Sequence, residues 1–257
     1  MIYLINLINQ FIPKRVVVWK RLLVEKADQL PAQHLSEFMR FLASEALEEG
    51  DRLPPLAELS QQLGISTATL REQLEVARSM GLVEVRPRTG IRKKQYSFKP
   101  AVVQSLTYAL ASDAHCFEQY SDFRNQIEKI YWYPAVKLLT LADQAELQAL
   151  IQRAFEKLDG HPIQIPHSEH RQLHLTIYSR LNNPFVNGVL EAFWEVYEAF
   201  GLNVYTDLNY QHKVWGYHKQ MVDAICQENF EVGYQALTDH MNLIFQREPR
   251  LLAQRFD

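Results

Sequence analysis

The sequence predicts a mainly α-helical protein in two parts: an N-terminal winged helix-turn-helix with a small β-hairpin wing, and a C-terminal all-α helical bundle. Three observations carry that reading. Two short helical stripes, LAELSQQL at 56–63 and LREQLEVARSM at 70–80, are joined by a few residues that include G-I-S at 64–66. After Gly81 the apolar period falls from 3.6 towards 2 through LVEV and IRKKQYSF, on either side of R-P-R-T-G. Beyond Lys99 only helical patterning persists.

In chain order, residues 1–30 come first, as an N-terminal extension of open role. Five basic residues stand there against two acids, around Val16, Val17, Val18, Trp19, Leu22 and Leu23. That mixture suits a helix on a partner subunit, an arm that touches DNA, or an addition to the core of the first domain.

The first domain covers residues 31–99. Leu35, Phe38, Met39, Leu42 and Ala46 recur at helical spacing, and that helix stops near Gly50. A second helix follows Pro54 and Pro55; Gly64 can end it in the left-handed conformation, and Ser66 can cap the third. Leu70, Leu74 and Ala77 form the inward stripe of the third helix, which Gly81 closes. Two helices joined by so short a glycine turn make a helix-turn-helix. Pro87 and Gly90 supply the turn chemistry of a β-hairpin. Its tip, RPRTGIRKK at 86–94, carries five positive charges and no negative one. A basic hairpin beside a helix-turn-helix is placed to meet the phosphates of double-stranded DNA.

The second domain, residues 100–257, reads as about seven helices separated by short breaks such as LDGHPIQIP and LNNP. Composition narrows the rest. A 257-residue chain that is 47% hydrophobic supports a real core, and two cysteines cannot build a disulfide framework. With no signal peptide and no apolar run near the roughly 20 residues that span a bilayer, a cytoplasmic protein without membrane partners is expected. A net charge of −3 excludes a general basic coat, so any nucleic-acid contact must be local.

GDRLP at 50–54, AELSQQLGISTATLREQLEVARSMGLV and then RPRTG together resemble the DNA-binding domain of the GntR family of bacterial transcription regulators. The helical part is similar to the FadR-type C-terminal domain, FCD. Its marks are Arg124 and Glu128 as R-x-x-x-E, His174 followed by N-P at Asn183, His218 before A-I, and His240 in A-L-x-x-H. The resemblance implies a homodimeric regulator, not an enzyme, that binds an operator of two-fold symmetry. Ser66, Thr67, Thr69, Arg71, Gln73, Arg88 and Gly90 are the expected DNA contacts. Two arginines usual in the family are replaced by Ala57 and Thr67, and only Arg71 keeps its place. Fewer bidentate contacts to bases or phosphates follow, so the operator cannot be carried over from relatives.

Seven of the nine histidines lie between residues 161 and 240. His170 and His174, four apart, stack on one face of a helix. His174, His218 and His240 each sit on the apolar face of their own helix, and three buried imidazoles need partners. Separate hydrogen bonds would serve; so would one shared divalent cation. The resemblance implies the cation: the family's ligands are three histidines and an aspartate one turn before the first. These map onto His174, His218 and His240, with His170 in the aspartate's place. Nitrogen-rich ligation favours a divalent transition metal, zinc or nickel above all, over magnesium or calcium. The lost negative charge leaves such a site more positive, and an anion should be drawn to it.

Arg124 occupies the position that often faces the family's effector cavity, where it would grip a small carboxylate; a plain salt bridge to Glu128 is the other reading. His161, His167 and His212 read as surface or loop residues. Two other functions fit the same histidines: a sensor for which the ion itself is the signal, and a helical metalloenzyme. No obvious general base accompanies the cluster, which weighs against the enzyme.

Overall fold

The computed structural model describes residues 34–44, 47–88, 90–199 and 207–243, so the extension at 1–30 and the stripe residue Ala46 lie outside the described part. The chain divides into two compact units between Gln95 and Tyr96.

In the first unit, α1 (Glu37–Ala43) starts at Ser36, whose side chain accepts from the backbone N–H of Met39. The helix α2 (Leu56–Leu63) ends at Gly64 with φ of 66°, a left-handed conformation that costs glycine little. Ser66 then caps α3 (Thr67–Ser79) by accepting from the N–H of Thr69. Strands β1 (Val83–Arg86) and β2 (Gly90–Lys93) pair antiparallel, with Val85 opposite Ile91 and Arg86 opposite Gly90. The GDRLP segment has a structural task not evident from its letters. Gly50 and Leu53 donate to the carbonyls of Lys93 and Ile91, and Lys93 donates back to Asp51, so the segment lines the free edge of β2. Phe38, Leu42, Leu59, Leu70, Leu74, Ala77, Val83 and Ile91 close over one core.

The second unit contains seven α-helices among its described residues: α4 (Lys99–Ser112), α5 (Cys116–Val136), α6 (Leu141–Leu158), α7 (His167–Tyr178), α8 (Pro184–Ala199), α9 (Leu208–Cys226) and α10 (Phe230–Asn242). A 3-10 turn, Ser179–Leu181, follows α7 and breaks at Asn182, which is left-handed with φ of 48°. Pro184 opens α8, where a missing N–H costs nothing. Thr140 and Asp143 form a full capping box at the start of α6. The core joins Trp132 of α5, Leu147 and Leu150 of α6, Leu173 and Ile177 of α7, Trp215 and Met221 of α9, and Leu237 of α10. Close approach of α10 to α5 depends on Gly233: a Cβ there would lie 2.7 Å from the Trp132 ring. That approach helps bring the far end of α10, with His240, to the centre of the bundle.

Candidate metal centre

Three helices deliver the four histidines. On α7, His170 and His174 project from consecutive turns; α9 contributes His218 and α10 His240. His174, His218 and His240 are buried and His170 is half-buried. One ligand nitrogen from each lies within 4.8 Å of those from the other three. The rings of His218 and His240 are 4.3 Å apart by centroid, and His170 lies 4.6 Å from His218. The structure therefore brings all four predicted ligands to one point.

Physical chemistry decides whether this cluster suits a cation. Nε2 of His174 and Nε2 of His218 are 3.2 Å apart, close to the edge of about 3.3 Å expected between two nitrogens on one tetrahedral zinc. Burial, followed by the neighbouring rings of His240, His170 and His174 and by Arg124, pushes the His218 imidazolium well below the usual histidine range. His174 is lowered as well, first by burial, with Glu128 opposing and Arg124 assisting. Both rings are then neutral near pH 7, the form that ligates. Nδ1 of His218 is buried and has no hydrogen-bond partner among the described residues. Each neutral imidazole keeps one bare nitrogen, and a shared cation can engage the bare nitrogens that converge here. The donor set fits a nitrogen-preferring divalent metal.

Arg124, on α5, is buried beside this cluster and makes the salt bridge to Glu128 that the sequence offered as one reading of it. Its Nη2 lies 2.7 Å from Glu128 Oε1 in an ion pair, and its guanidinium lies over the rings of Phe193 and Trp194. It also lines, with Ser121, Asn125, His170, Trp194 and Tyr197, a small cavity of about 40 Å³. The Ser121 hydroxyl and the Trp194 indole N–H are buried without hydrogen-bond partners. A cationic donor and two unsatisfied polar groups lining a cavity next to the histidine cluster can hold a small anion.

Sequence reasoning missed a connection. Glu128 is wholly buried, and its Oε2 lies 3.1 Å from His174 Nδ1. Burial alone would raise its carboxyl, but the charge of Arg124, together with hydrogen bonds from His174 and Arg124, outweighs burial and leaves it lowered, so it is ionised. An ionised carboxylate behind a ligating histidine is the usual support of a metal site. The pairing joins α5 to α7, and no local spacing announces it.

At the DNA-binding end, Ser66 and Thr69 are exposed at the start of α3, Arg71 is exposed one turn on, and Thr67 is half-buried. Ser66 and Thr69 also bond to one another at 2.9 Å. Arg88 stands exposed at the hairpin tip with φ of 67°, followed by Gly90 with φ of 82°. Gln73 is a correction. Its Oε1 accepts from the N–H of Phe38, and its Nε2 donates to Glu37 at 2.7 Å, so it holds α1 to α3 inside the domain. The wing's basic tally also overstates its reach: Arg86 pairs with Glu84, Arg92 donates to the carbonyl of Gly50, and Lys93 donates to that of Leu47. Against Gly90 lies Arg52, a basic residue the wing's own sequence does not contain.

Comparison with known proteins agrees in two segments. The family model described as bacterial regulatory proteins, gntR family, matches residues 39–92, and the FCD domain model matches 119–243. The Uxu operon transcriptional regulator of Escherichia coli K12 is 25% identical over 225 residues, covering 85% of this chain and 87% of that protein. The HTH-type transcriptional regulator YieP, also of E. coli K12, is 25% identical over 200 residues, covering 74% and 82%. A solved GntR structure from Streptococcus agalactiae superposes with a TM-score of 0.53 at 15% identity, covering 80% of this chain and 94% of that one, which supports the fold.

Proposed function

Because the chain is a transcription regulator with a GntR-family helix-turn-helix domain followed by an FCD domain, and not an enzyme, we propose that a divalent transition metal in its helical bundle governs its grip on an operator. In this reading a homodimer binds a two-fold-symmetric DNA site through Ser66, Thr67, Thr69, Arg71, Arg88 and Gly90. His170, His174, His218 and His240 hold the ion, zinc or nickel. A small carboxylate bound between the ion and Arg124 shifts operator affinity.

The observation that carries the proposal is the convergence of four imidazole ligand atoms within 4.8 Å of one another, three of the rings buried. The adjoining cavity supports the acid. Excess positive charge from a dication on neutral ligands, together with Arg124, offsets the desolvation of a carboxylate; a neutral apolar molecule would leave both without a partner. At about 40 Å³ the cavity suits a small acid.

Elemental analysis of the purified full chain, paired with mass spectrometry of what it releases on denaturation, tests this reading. About one zinc or nickel per chain and a small organic acid are expected. Protein that copurifies with no transition metal and takes none up on titration would remove the metal from the account. Loss of operator binding on chelation while the acid is held constant would make the ion itself the signal.

A further inference from the structure

We infer that Glu128 and Arg124 compete for one nitrogen of His174, and that their competition couples the anion cavity to the metal site. This rests on the metal reading above. Nδ1 of His174 lies 3.1 Å from Glu128 Oε2 and 3.0 Å from Arg124 Nη2. An ionised carboxylate only accepts and a guanidinium only donates. One ring nitrogen cannot answer both. If Nδ1 carries the ring's single proton it donates to Glu128; if it is bare it accepts from Arg124.

The choice fixes the other nitrogen without changing the charge of the ring. With the proton on Nδ1, Nε2 is bare and directed at the cluster, 3.2 Å from Nε2 of His218, ready to ligate. With Nδ1 bare, the proton sits on Nε2 and that nitrogen cannot bind a metal. Glu128 is therefore a positioning residue that selects the ligating tautomer, and Arg124 selects the other.

Arg124 also lines the cavity, where its Nε is buried without a hydrogen-bond partner. A carboxylate arriving there draws the guanidinium towards itself, away from His174 and from its ion pair with Glu128. Glu128 is then left to His174 alone, and the ligating tautomer gains. Anion and metal thus bind with positive coupling, and the coupling is reciprocal.

The test uses the full chain, zinc as the metal and acetate as the anion. Proton-coupled nitrogen NMR of histidine-labelled, metal-free protein reads the His174 tautomer, with the signal assigned by its loss in His174→Gln. Zinc affinity is measured by competition with a chromophoric chelator, corrected for acetate's own binding of zinc. Acetate should increase the Nδ1–H population of His174 in the wild type and tighten zinc binding by about fivefold or more. Glu128→Gln should move the proton towards Nε2 and weaken zinc binding by about 10- to 100-fold. The double variant Arg124→Gln with Glu128→Gln removes both charges together, so no buried charge is left unpaired; its His174 tautomer should not respond to acetate, and its zinc affinity should respond less than that of the wild type, by the direct contact of acetate with the ion alone. Wild-type protein that binds zinc through the four histidines, yet shows a His174 tautomer indifferent to acetate and to Glu128→Gln, would overturn the coupling alone. Wild-type protein that binds no zinc would overturn the coupling together with the metal reading.

Discussion

The four histidines differ in what each can lose. His174, His218 and His240 are fixed inside the bundle on separate helices, so no neighbouring side chain replaces a deleted ring. Alanine at any one of them is expected to abolish tight zinc binding in a chelator competition. His170 is half-buried, edge-on to Trp194 at 4.6 Å, and His170→Asp keeps a donor atom while adding a negative charge beside a dication. That variant should bind zinc at least as tightly as wild type and should shift preference towards ions that accept oxygen; a marked loss of affinity would show that the ring has a task beyond donating one atom. The cluster was legible because each histidine interrupts an apolar stripe of its own helix. Glu128 was not, since its contact with His174 spans 46 residues of sequence and its nearest visible partner was Arg124, one turn away. Gln73 was misread for a related reason. It lies beside the exposed Glu72 on α3, and only the arrival of α1 with Glu37 and the Phe38 N–H turns its amide inward.

Helix identity was legible wherever local chemistry sets it. Ser66 and Gly64 mark the ends of α3 and α2, and Asn182 with Pro184 separates α7 from α8. Close helix contacts were less visible, because they depend on what lies opposite. Gly233 shows no signature of its own, yet Gly233→Ala would put a methyl 2.7 Å from Trp132 Cζ2. Trp132 is held in place by its indole bond to the Phe230 carbonyl, 2.9 Å, on the same pair of helices. The change should cost about 1–3 kcal/mol by overpacking, read in urea unfolding, even though alanine is the better helix former. At the start of α6, the two hydrogen bonds from Arg180, then those from Thr140, hold the Asp143 carboxyl well below the usual carboxylate range. A depressed carboxylate stabilises the fold above its unfolded pKa, and that contribution is lost as the pH falls towards its folded value. Wild type should therefore exceed Asp143→Asn in stability at neutral pH, with the gap shrinking progressively below about pH 4. A gap that stays constant into acid would assign the loss to the altered cap instead of the charge.

The order of two domains was legible in the whole molecule because each has its own grammar: a short helix pair with a change of period in one, unbroken helical stripes in the other. The cavity was less so, since it arises only when α5, α7, α8, α9 and α10 are assembled around it. Linkage nevertheless fixes what a regulator of this kind must do. Metal bound only by the folded bundle adds its binding free energy to folding, so chelation should lower the melting temperature of the wild type and leave that of His218→Ala unchanged. The same thermodynamics binds the cavity to the operator. If a carboxylate changes operator affinity by some factor at constant metal, then saturating operator must change the affinity for that carboxylate by the same factor and in the same direction. The comparison needs two titrations: operator into protein with and without the acid, followed by fluorescence anisotropy, and acid into protein with and without operator, followed by calorimetry. Equal ratios are required wherever on the protein the acid binds. A coupling that vanishes in Arg124→Gln would place the effect at the bundle, whereas unequal ratios would reveal a further equilibrium, such as acid binding to the DNA itself, because a cycle that closes on one protein and two ligands admits no other result.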